Sequence, residues 1–368
     1  MYHGPILSTD ACLYVESSRL YTRAARERSS RTRSWSLRTL WGADGSLTVV
    51  SDVRPLLITG GVVANNEERN IERSLRSLLN DPLPPGAEWH RIWVVVSGST
   101  DRTEAIARAV SKVDPRVEVI VERERRGKAA AVGEVLVRAK GDLVLLLNAD
   151  AFVERGAVGA LLRAAQGLRA PFGVMGRPVP PEGPSRGVLP AIGLLWDVHH
   201  ALHERLLSTG RGTHLSDELL LLSLEGLPTL PDGVVNDGAF LAARITRTGG
   251  TLRYALDARV VVSVPLTFRD LVAQRRRILY GHRQVTSLVG IPPSTMGALG
   301  RQHPREAIGL LLRTVRARRG GWRALVVLAT AETAGLALSL WDAVPPRRDH
   351  VRWERLPEGA PTPDRTPR

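Results

Sequence analysis

Four short polar motifs lie beside apolar segments in the first half of the chain, and their side chains are suited to a phosphorylated ligand. They are Asn65-Asn66-Glu67, Ser97-Gly98-Ser99-Thr100-Asp101, Arg125-Arg126-Gly127-Lys128 and Asn148-Ala149-Asp150. A carboxylate such as that of Asp150 binds Mg²⁺ or Mn²⁺ between phosphates. Taken alone, the second motif is also explained as a capped turn before a helix, with Glu104 three residues after Asp101.

The surrounding pattern predicts an α/β fold that brings the motifs together. Apolar runs at 56–63, 92–96, 117–121 and 143–147 alternate with helical patterns at 71–79, 104–113 and 128–139. Such alternation is typical of βαβ units and a parallel sheet. Right-handed crossovers place the carboxyl ends of the strands at one edge, where ligands bind. We therefore expect one site built from residues that follow the strands.

The second half of the chain is less regular. A loop is predicted over 171–190 and a helix over 191–207, whereas 218–224 fits either a buried strand or a helix. Strands are expected at 252–254 and 260–264, and helices at 267–279 and 306–315.

The ordered series of motifs resembles glycosyltransferase family 2, the inverting enzymes with a GT-A (Rossmann-like) nucleotide-diphospho-sugar transferase fold. The resemblance covers about residues 55–290. The motifs that match the family patterns, in chain order, are Asn66-Glu67, Val96 to Asp101, Gly127-Lys128-Ala129, Asn148-Ala149-Asp150, Asn236-Asp237 and Gln274 to Ile278. Val96, Gly133, Asn148 and Asn236 depart from the acidic or polar residues usual at their positions.

The resemblance implies a mainly parallel central sheet followed by C-terminal helices, and it assigns roles to individual residues. Donor binding falls to Asn66, Glu67, Ser97, Lys128, Asn148, Gln274 and Arg277. Asp150 takes the position that contacts a Mg²⁺ or Mn²⁺ ion, and Asp237 that of the general base. The expected donor is a UDP- or GDP-type sugar.

The chemistry of glycosyl transfer is consistent with these residue types. A departing diphosphate is stabilised by a metal ion and by guanidinium groups such as that of Arg277. A carboxylate such as Asp237 can deprotonate an acceptor hydroxyl that attacks C1 once and inverts it. The alternative for Asp237 is a helix N-cap. Arg275 and Arg276 point in other directions than Arg277 and are expected in solvent or at a membrane surface.

An acceptor region is predicted around Trp196, Asp197, His199 and His200, between the metal motif and the base. Helix packing explains the same residues equally well. A metal site is the weaker interpretation, since the side chains of adjacent residues on a helix diverge by about 100°. His282, just beyond the Gln274 to Ile278 motif, is a candidate diphosphate contact.

The composition points to charged partners without choosing one. The chain has 368 residues, a net charge of +14 and one cysteine, Cys12, so it forms neither an intrachain disulfide nor a cysteine-based zinc cluster. Residues 269–323 contain twelve arginines and two acids, which is +10 of that charge. Nucleic acid is not expected as a partner, since zinc-finger and RNP patterns are absent and aromatic residues make up 5%.

The apolar segment 324–344 contains Glu332 and Asp342, which favours an interfacial or protein-packed helix over a transmembrane span. Flanking arginines suit an anionic membrane surface. The N-terminus has no secretory h-region, so a cytoplasmic protein, peripheral at the inner face of the membrane, is expected.

The predicted organisation is a partly disordered N-terminal extension over 1–54, a GT-A domain over 55–290, a helical and membrane-associated region over 291–344 and a disordered tail over 345–368. Two alternatives stay open besides the enzyme. They are a catalytically silent, membrane-associated partner with the same fold and, less favoured, a basic nucleic-acid-binding protein. A sugar nucleotidyltransferase is disfavoured because the first strand lacks a Gly-rich, Arg-containing phosphate loop.

Overall fold

A computed structural model describes residues 54–181, 187–342 and 348–352. Residues 1–53 of the predicted N-terminal extension and residues 353–368 of the predicted tail lie outside this part. Five tail residues, 348–352, are described, and one of them, His350, is packed: its side chain is 3% exposed and lies 2.8 Å from the Asp342 carboxylate.

The described residues contain one eight-stranded sheet with the order β3-β2-β1-β4-β7-β6-β8-β5. The strands are β1 Leu56–Ala64, β2 Ala87–Ser97, β3 Val117–Glu122, β4 Leu143–Asn148, β5 Ala151–Val153, β6 Phe172–Val179, β7 Leu219–Ser223 and β8 Thr251–Val262. The helices are α1 Ile71–Leu79, α2 Thr103–Val113, α3 Lys128–Arg138, α4 Ala157–Ala165, α5 Leu189–Ser208, α6 Asp237–Arg247, α7 Phe268–Val289, α8 Met296–Gln302, α9 Pro304–Ala317 and α10 Gly321–Trp341.

The first half forms the predicted parallel unit. Strand β1 pairs in parallel with β2 and β4, and β2 pairs in parallel with β3. The aliphatic residues of β4 are buried along its length, as in a sheet covered on both faces. The carboxyl ends of these strands consequently meet at one edge.

Strand β7 extends this edge from the opposite direction. Its five residues, Leu219–Ser223, are all buried and pair antiparallel with β4, with Leu147 opposite Leu219. The segment 218–224, which fitted a strand or a helix, is therefore mostly strand. Because β7 is antiparallel, its beginning lies where β4 ends.

Two other segments differ from expectation. The predicted loop over 171–190 contains strand β6, which pairs with both β7 and β8. Helix α7 continues to Val289, ten residues beyond its predicted end at 279, and Gly290 ends it in the left-handed region at φ 78°. Prolines and glycines lie within and beside β6, and in the sequence alone they favour a loop over a strand.

Helix α10 packs against α7 through a stripe of small residues. Its buried positions recur every three or four residues, and they include Ala331, Gly335 and Ser339. A Cβ on Gly335 would lie 2.9 Å from the Arg275 Cβ, so glycine permits the close approach. Leu328 is buried with this stripe, whereas six other large apolar residues of α10 are exposed: Trp322, Val326, Leu336, Leu338, Leu340 and Trp341.

Candidate active site

A cavity of about 980 Å³ opens at the carboxyl edge of β1, β2 and β4. Residues from α5, α7 and α10 close its other sides. The predicted site residues that line it are Glu67, Ser97, Lys128, Asn148, Asp150, Trp196, His199, Gln274, Arg277 and His282. Such a crevice outside the carboxyl ends of the strands is the usual ligand position in an α/β sheet.

The end of β1 is tied to the end of β2 by side-chain amides. The Asn65 amide donates to the carbonyl oxygens of Ser97 and Gly98, at 2.6 and 3.2 Å. The Asn66 side chain accepts from the Thr100 backbone N–H at 2.8 Å and does not line the cavity. Asn66 thus holds a turn, whereas Glu67, predicted with it, does reach the cavity.

In the turn after β2, the Asp101 side chain mainly holds the backbone in place by hydrogen bonds. Asp101 accepts from the Thr103 backbone N–H at 3.0 Å and from the Glu68 N–H at 3.1 Å. Burial would raise the pKa of Asp101, but these hydrogen bonds together with that from the Thr103 hydroxyl hold it below its ordinary value. Ser97 is the member of this motif that lines the cavity.

Glycine is required at position 98. Gly98 adopts φ 58°, and a Cβ there would lie 2.6 Å from the Arg125 backbone nitrogen. This contact brings the Arg125-to-Lys128 segment, where α3 begins, to the end of β2. Lys128 therefore reaches the sheet edge from the first turn of α3.

The end of β4 presents Asn148 and Asp150, both of which line the cavity. The Asn148 backbone N–H donates to the Glu218 carbonyl oxygen at 3.2 Å, and the Ser263 hydroxyl donates to the Asp150 carbonyl oxygen at 3.2 Å. Segments on either side thus fix the backbone of the predicted metal motif.

Four charged side chains meet at the cavity wall, and we call Lys128, Asp217, Asp237 and Arg277 the charged centre. Lys128, Asp217 and Arg277 line the cavity, whereas Asp237 is buried beside Lys128 and does not line it. The Lys128 ammonium forms an ion pair with Asp217 and lies 3.4 Å from Asp237 Oδ1. The Arg277 guanidinium donates to the Val235 carbonyl oxygen at 3.1 Å. Two cations and two carboxylates from four separate segments are thus held together.

The carboxyl groups in and beside the charged centre have pKa values that are shifted in opposite directions. Burial, together with the neighbouring Asp217, raises the pKa of Asp237 to about 7, although Lys128 opposes the shift. For Asp217, the attraction of Lys128 outweighs burial and holds the pKa below its ordinary value. Burial and the charge of Asp217 raise the pKa of Glu218 to about 7. A carboxyl group whose pKa lies near 7 is suited to proton transfer at neutral pH.

Asp237 is not the N-cap of its helix. The cap of α6 is Asn236, whose side-chain oxygen accepts from the Ala239 N–H at 3.2 Å. The Asp237 side chain is 3% exposed and lies beside Lys128. Asn236, at a position where the family resemblance predicts an acid, thus supplies the cap. The Asp237 carboxylate belongs to the charged centre instead.

The side chains of the three consecutive arginines of α7 point in different directions, as expected, but two of them form ion pairs that were not predicted. Arg277 reaches the charged centre with Gln274 nearby in the cavity wall. Arg275 and Arg276 instead form ion pairs with Glu332 and Asp342 at the α10 helix and its C-cap. Their expected place in solvent or at a membrane surface is wrong, because carboxylates of the same chain neutralise them.

The predicted acceptor region divides into two pairs. Trp196 and His199 line the cavity, whereas Asp197 and His200 do not. Asp197 forms a 2.5 Å ion pair with Arg318, and His200 Nδ1 lies 2.6 Å from the Tyr254 hydroxyl. The latter pair has a packing role.

Asp217, Glu218, His203 and His214 line the cavity without having been predicted. The first two precede β7 directly. Recognising 219–223 as a strand antiparallel to β4 would have placed them at the sheet edge. For His203 the available signal was its spacing of four residues from His199.

Two family models match the chain. The glycosyl transferase family 2 model matches residues 61–197, and the glycosyl transferase family group 2 model matches residues 193–345. Together they cover the sheet, the charged centre and α10.

Curated relatives match over shorter segments. The chain is 29% identical over 147 residues to the beta-monoglucosyldiacylglycerol synthase of Synechocystis sp., which is 33% of this chain and 29% of that protein. It is 33% identical over 101 residues to the succinoglycan biosynthesis protein ExoU of Rhizobium meliloti, 27% of this chain and 28% of that protein. The matched segments thus span under a third of the length of these relatives.

A solved structure shares the fold over nearly the whole chain. The mannosyltransferase PcManGT from Pyrobaculum calidifontis, in complex with GDP-Man and Mn²⁺, superposes with a TM-score of 0.59 at 18% sequence identity. The match covers 92% of this chain and 97% of that one. At this identity the likeness concerns the fold.

Proposed function

Because the chain belongs to glycosyltransferase family 2 and has the GT-A fold, we propose that it transfers a sugar from a nucleoside diphosphate sugar to an acceptor, with inversion at C1. Asp237 is the general base in this proposal. The observation that carries it is the position of this buried carboxyl group, 3.4 Å from the ammonium of Lys128, which lines a large cavity at the sheet edge.

The proposed reaction is a single displacement. An acceptor oxygen attacks C1 of the sugar while its proton passes to the Asp237 carboxylate. The bond between C1 and the diphosphate oxygen breaks, and the diphosphate leaves with the electron pair. Lys128 lies 3.4 Å from Asp237 Oδ1 and stabilises its charged form before the proton arrives.

The leaving diphosphate needs positive charge. Arg277 and Arg125 line the cavity and provide it from α7 and from the segment before α3. Guanidinium groups bind phosphate oxygens through paired, charge-assisted hydrogen bonds. These arginines would hold the diphosphate on the opposite side of C1 from the acceptor.

A divalent cation fits the end of β4. Asp150, Asn148 and Glu218 bring carboxylate and amide oxygens to this part of the cavity wall, the ligands that Mg²⁺ and Mn²⁺ prefer. Asp150 is the carboxylate proposed to hold the ion. When bound, the ion would neutralise charge on the diphosphate. The Mn²⁺ bound by PcManGT supports this assignment.

The decisive experiment separates donor binding from turnover. A panel of UDP- and GDP-sugars is offered to the full chain with and without Mn²⁺, and both binding and hydrolysis are measured. Asp237→Asn is expected to bind the donor about as wild type does but to lose at least about 10³-fold in turnover. Asp150→Ala is expected to lose Mn²⁺-dependent binding.

Asp197→Asn is the matched control, since this carboxylate pairs with Arg318 outside the cavity lining. It should retain turnover. A wild-type protein that binds donors but does not turn them over would instead support the catalytically silent alternative. Full activity in Asp237→Asn would refute its role as base.

We also propose that the protein lies on a membrane through α10. In the described residues, α10 is the one helix long and apolar enough to cross a bilayer, with a mean hydropathy of 1.6. Its exposed face carries Trp322, Val326, Leu336 and Leu340, whereas its small residues pack on α7. An apolar helix face flanked by arginines suits a membrane interface. The lipid product named for the Synechocystis relative supports a lipid-associated acceptor.

Flotation with anionic liposomes tests this surface. Wild type is expected to float, and Val326→Ser/Leu340→Ser to remain in solution, because both side chains are exposed and their loss leaves the packed face unchanged. Val113→Ser is the control, since Val113 is exposed on α2. Equal flotation of all three proteins would exclude α10 as the contact.

A further inference from the structure

Four histidines converge in the cavity from three segments. His199 and His203 lie on α5, His214 lies in the loop before β7, and His282 lies on α7. Ring centroids are separated by 4.0 Å for His199 and His203, by 5.3 Å for His203 and His214, and by 5.2 Å for His214 and His282. These four imidazole rings therefore lie next to one another in the lining of the cavity.

Three of these rings direct nitrogen atoms toward one another. One nitrogen from each of His199, His203 and His214 lies within 4.8 Å of the other two. His199 and His203 are one helical turn apart and so share a face of α5. The predicted pair, His199 and His200, lacks this property, and His200 is engaged by Tyr254.

Each of the three rings has a buried nitrogen without a hydrogen-bond partner among the described residues. His199 Nδ1, His203 Nε2 and His214 Nδ1 have no hydrogen-bond partner. His203 Nδ1 lies 2.8 Å from the His199 carbonyl oxygen, so it carries the proton and leaves the Nε2 lone pair available. Buried polar atoms are almost always paired, which indicates that something else occupies the space between the rings.

The rings are also in the form that binds metals. Burial lowers the pKa of His203 to about 4 and holds the pKa of His199 and His214 well below the ordinary value. Neutral imidazole is a metal ligand at neutral pH, whereas imidazolium is not. Arg275 contributes to the shifts of His199 and His214 from the adjacent helix.

We propose that His199, His203 and His214 form a second metal site, which takes a transition-metal dication such as Zn²⁺. Three imidazoles suit zinc and its neighbours, whereas the carboxylate and amide oxygens near Asp150 suit Mg²⁺ or Mn²⁺. Zinc–nitrogen bonds of about 2.0–2.1 Å correspond to nitrogens about 3.3 Å apart in a tetrahedral site, and the three nitrogens here lie within 4.8 Å of one another.

This site goes beyond the proposed transfer reaction and does not depend on it. A three-histidine site keeps a fourth position for water or for an oxygen ligand. All three histidines line the same cavity as Lys128 and Asp217, and His214 precedes Asp217 by three residues. The proposed ligands of the second ion are all imidazoles, and they include none of the residues assigned to the metal ion at the end of β4.

Metal titration of the free protein tests the proposal without any nucleotide. The untagged full chain is stripped with a chelator and titrated with Zn²⁺ against a chromophoric competitor, and with Co²⁺ while the visible spectrum is recorded. We expect one tight equivalent of Zn²⁺ and the absorption bands of four-coordinate Co²⁺. His203→Gln and His214→Gln should each weaken Zn²⁺ binding by at least about 100-fold.

Two variants serve as controls. His200→Gln alters the next residue of α5 and should keep the wild-type affinity. Asp150→Ala should keep Zn²⁺ binding even if it loses every response to Mn²⁺ and donor, which separates this site from the proposed donor metal.

Thermal unfolding establishes that each variant is folded before titration. The proposal is overturned if wild type binds no Zn²⁺ in the micromolar range, or if both histidine variants, folded, bind it as wild type does. Loss of the tight equivalent in Asp150→Ala alone would also overturn it.

Discussion

The charged centre and the interface between α7 and α10 both depend on arginines of one helix, but they use charge differently. At the interface each cation has its own partner: Arg275 pairs with Glu332 and Arg276 with Asp342. In the charged centre, Lys128 is shared between Asp217 and Asp237. In the charged centre, burial and Asp217 raise the pKa of Asp237 to about 7 against the effect of Lys128, whereas at the interface Arg276 holds the pKa of Asp342 below its ordinary value.

The difference teaches that a run of arginines has no single role. Successive residues on a helix diverge by about 100°, so Arg276 and Arg277 meet different neighbours. Ion pairs between single partners connect α7 and α10, whereas the shared cation, Lys128, lies beside Asp237, the proposed base. The following predictions test this distinction.

Among the three variants that test this comparison, Lys128→Met should have the largest effect on chemistry. The variant removes the cation that lowers the pKa of Asp237, so this pKa should rise further above 7. Less of the base is then ionised at pH 7, and kcat/KM should fall by about 10²-fold and partly recover as the pH rises. The check is the pH profile of kcat/KM, in which the acidic limb should move to higher pH. A limb that stays in place would separate Lys128 from the base.

Arg276→Met should affect stability instead of chemistry. It leaves the Asp342 carboxylate, 0% exposed, without a guanidinium partner and with His350 as its remaining hydrogen-bond partner. Removing one partner of a buried pair costs about 3 kcal/mol or more in the free energy of unfolding. Denaturant unfolding measures this loss, and the pH profile of kcat/KM should match that of wild type.

The double variant Arg276→Met/Asp342→Leu is the control for that interface. Since it removes both charges, most of the lost stability should return. A double variant no more stable than the single one would mean that the ion pair is not the source of the loss.

The sequence predicts the first half of the molecule well because each strand there ends in a polar motif. Asn148 and Asp150 follow a run of aliphatic residues, and parallel pairing fixes their edge. Asp217 and Glu218 could not be located in this way, since their role depends on β7 running antiparallel to β4, and 218–224 fits either secondary structure.

The partners of Arg275 and Arg276 were unpredictable for a related reason. Glu332 and Asp342 lie more than fifty residues beyond these arginines along the chain, and in the sequence alone they are only acidic residues that interrupt an apolar segment. The close packing at Gly335 decides that they face α7. Local patterns cannot encode such a pairing between distant helices.

Glu218→Gln should give the smallest of the three effects and the sharpest test of shared charge. Burial and Asp217 raise the pKa of Glu218 to about 7 in the folded state. Its contribution to stability is therefore fully present below about pH 4.5 and is lost as the pH rises through 7. The glutamine imitates the protonated form, so its stability relative to wild type should improve by about 1–3 kcal/mol between pH 5 and pH 8. Glu306→Gln is the control, since Arg211 and Arg205 lower the pKa of Glu306 to about 2 and it stays ionised over this range. Denaturant unfolding at both pH values measures the difference, and equal changes in the two variants would show that Glu218 is ionised throughout.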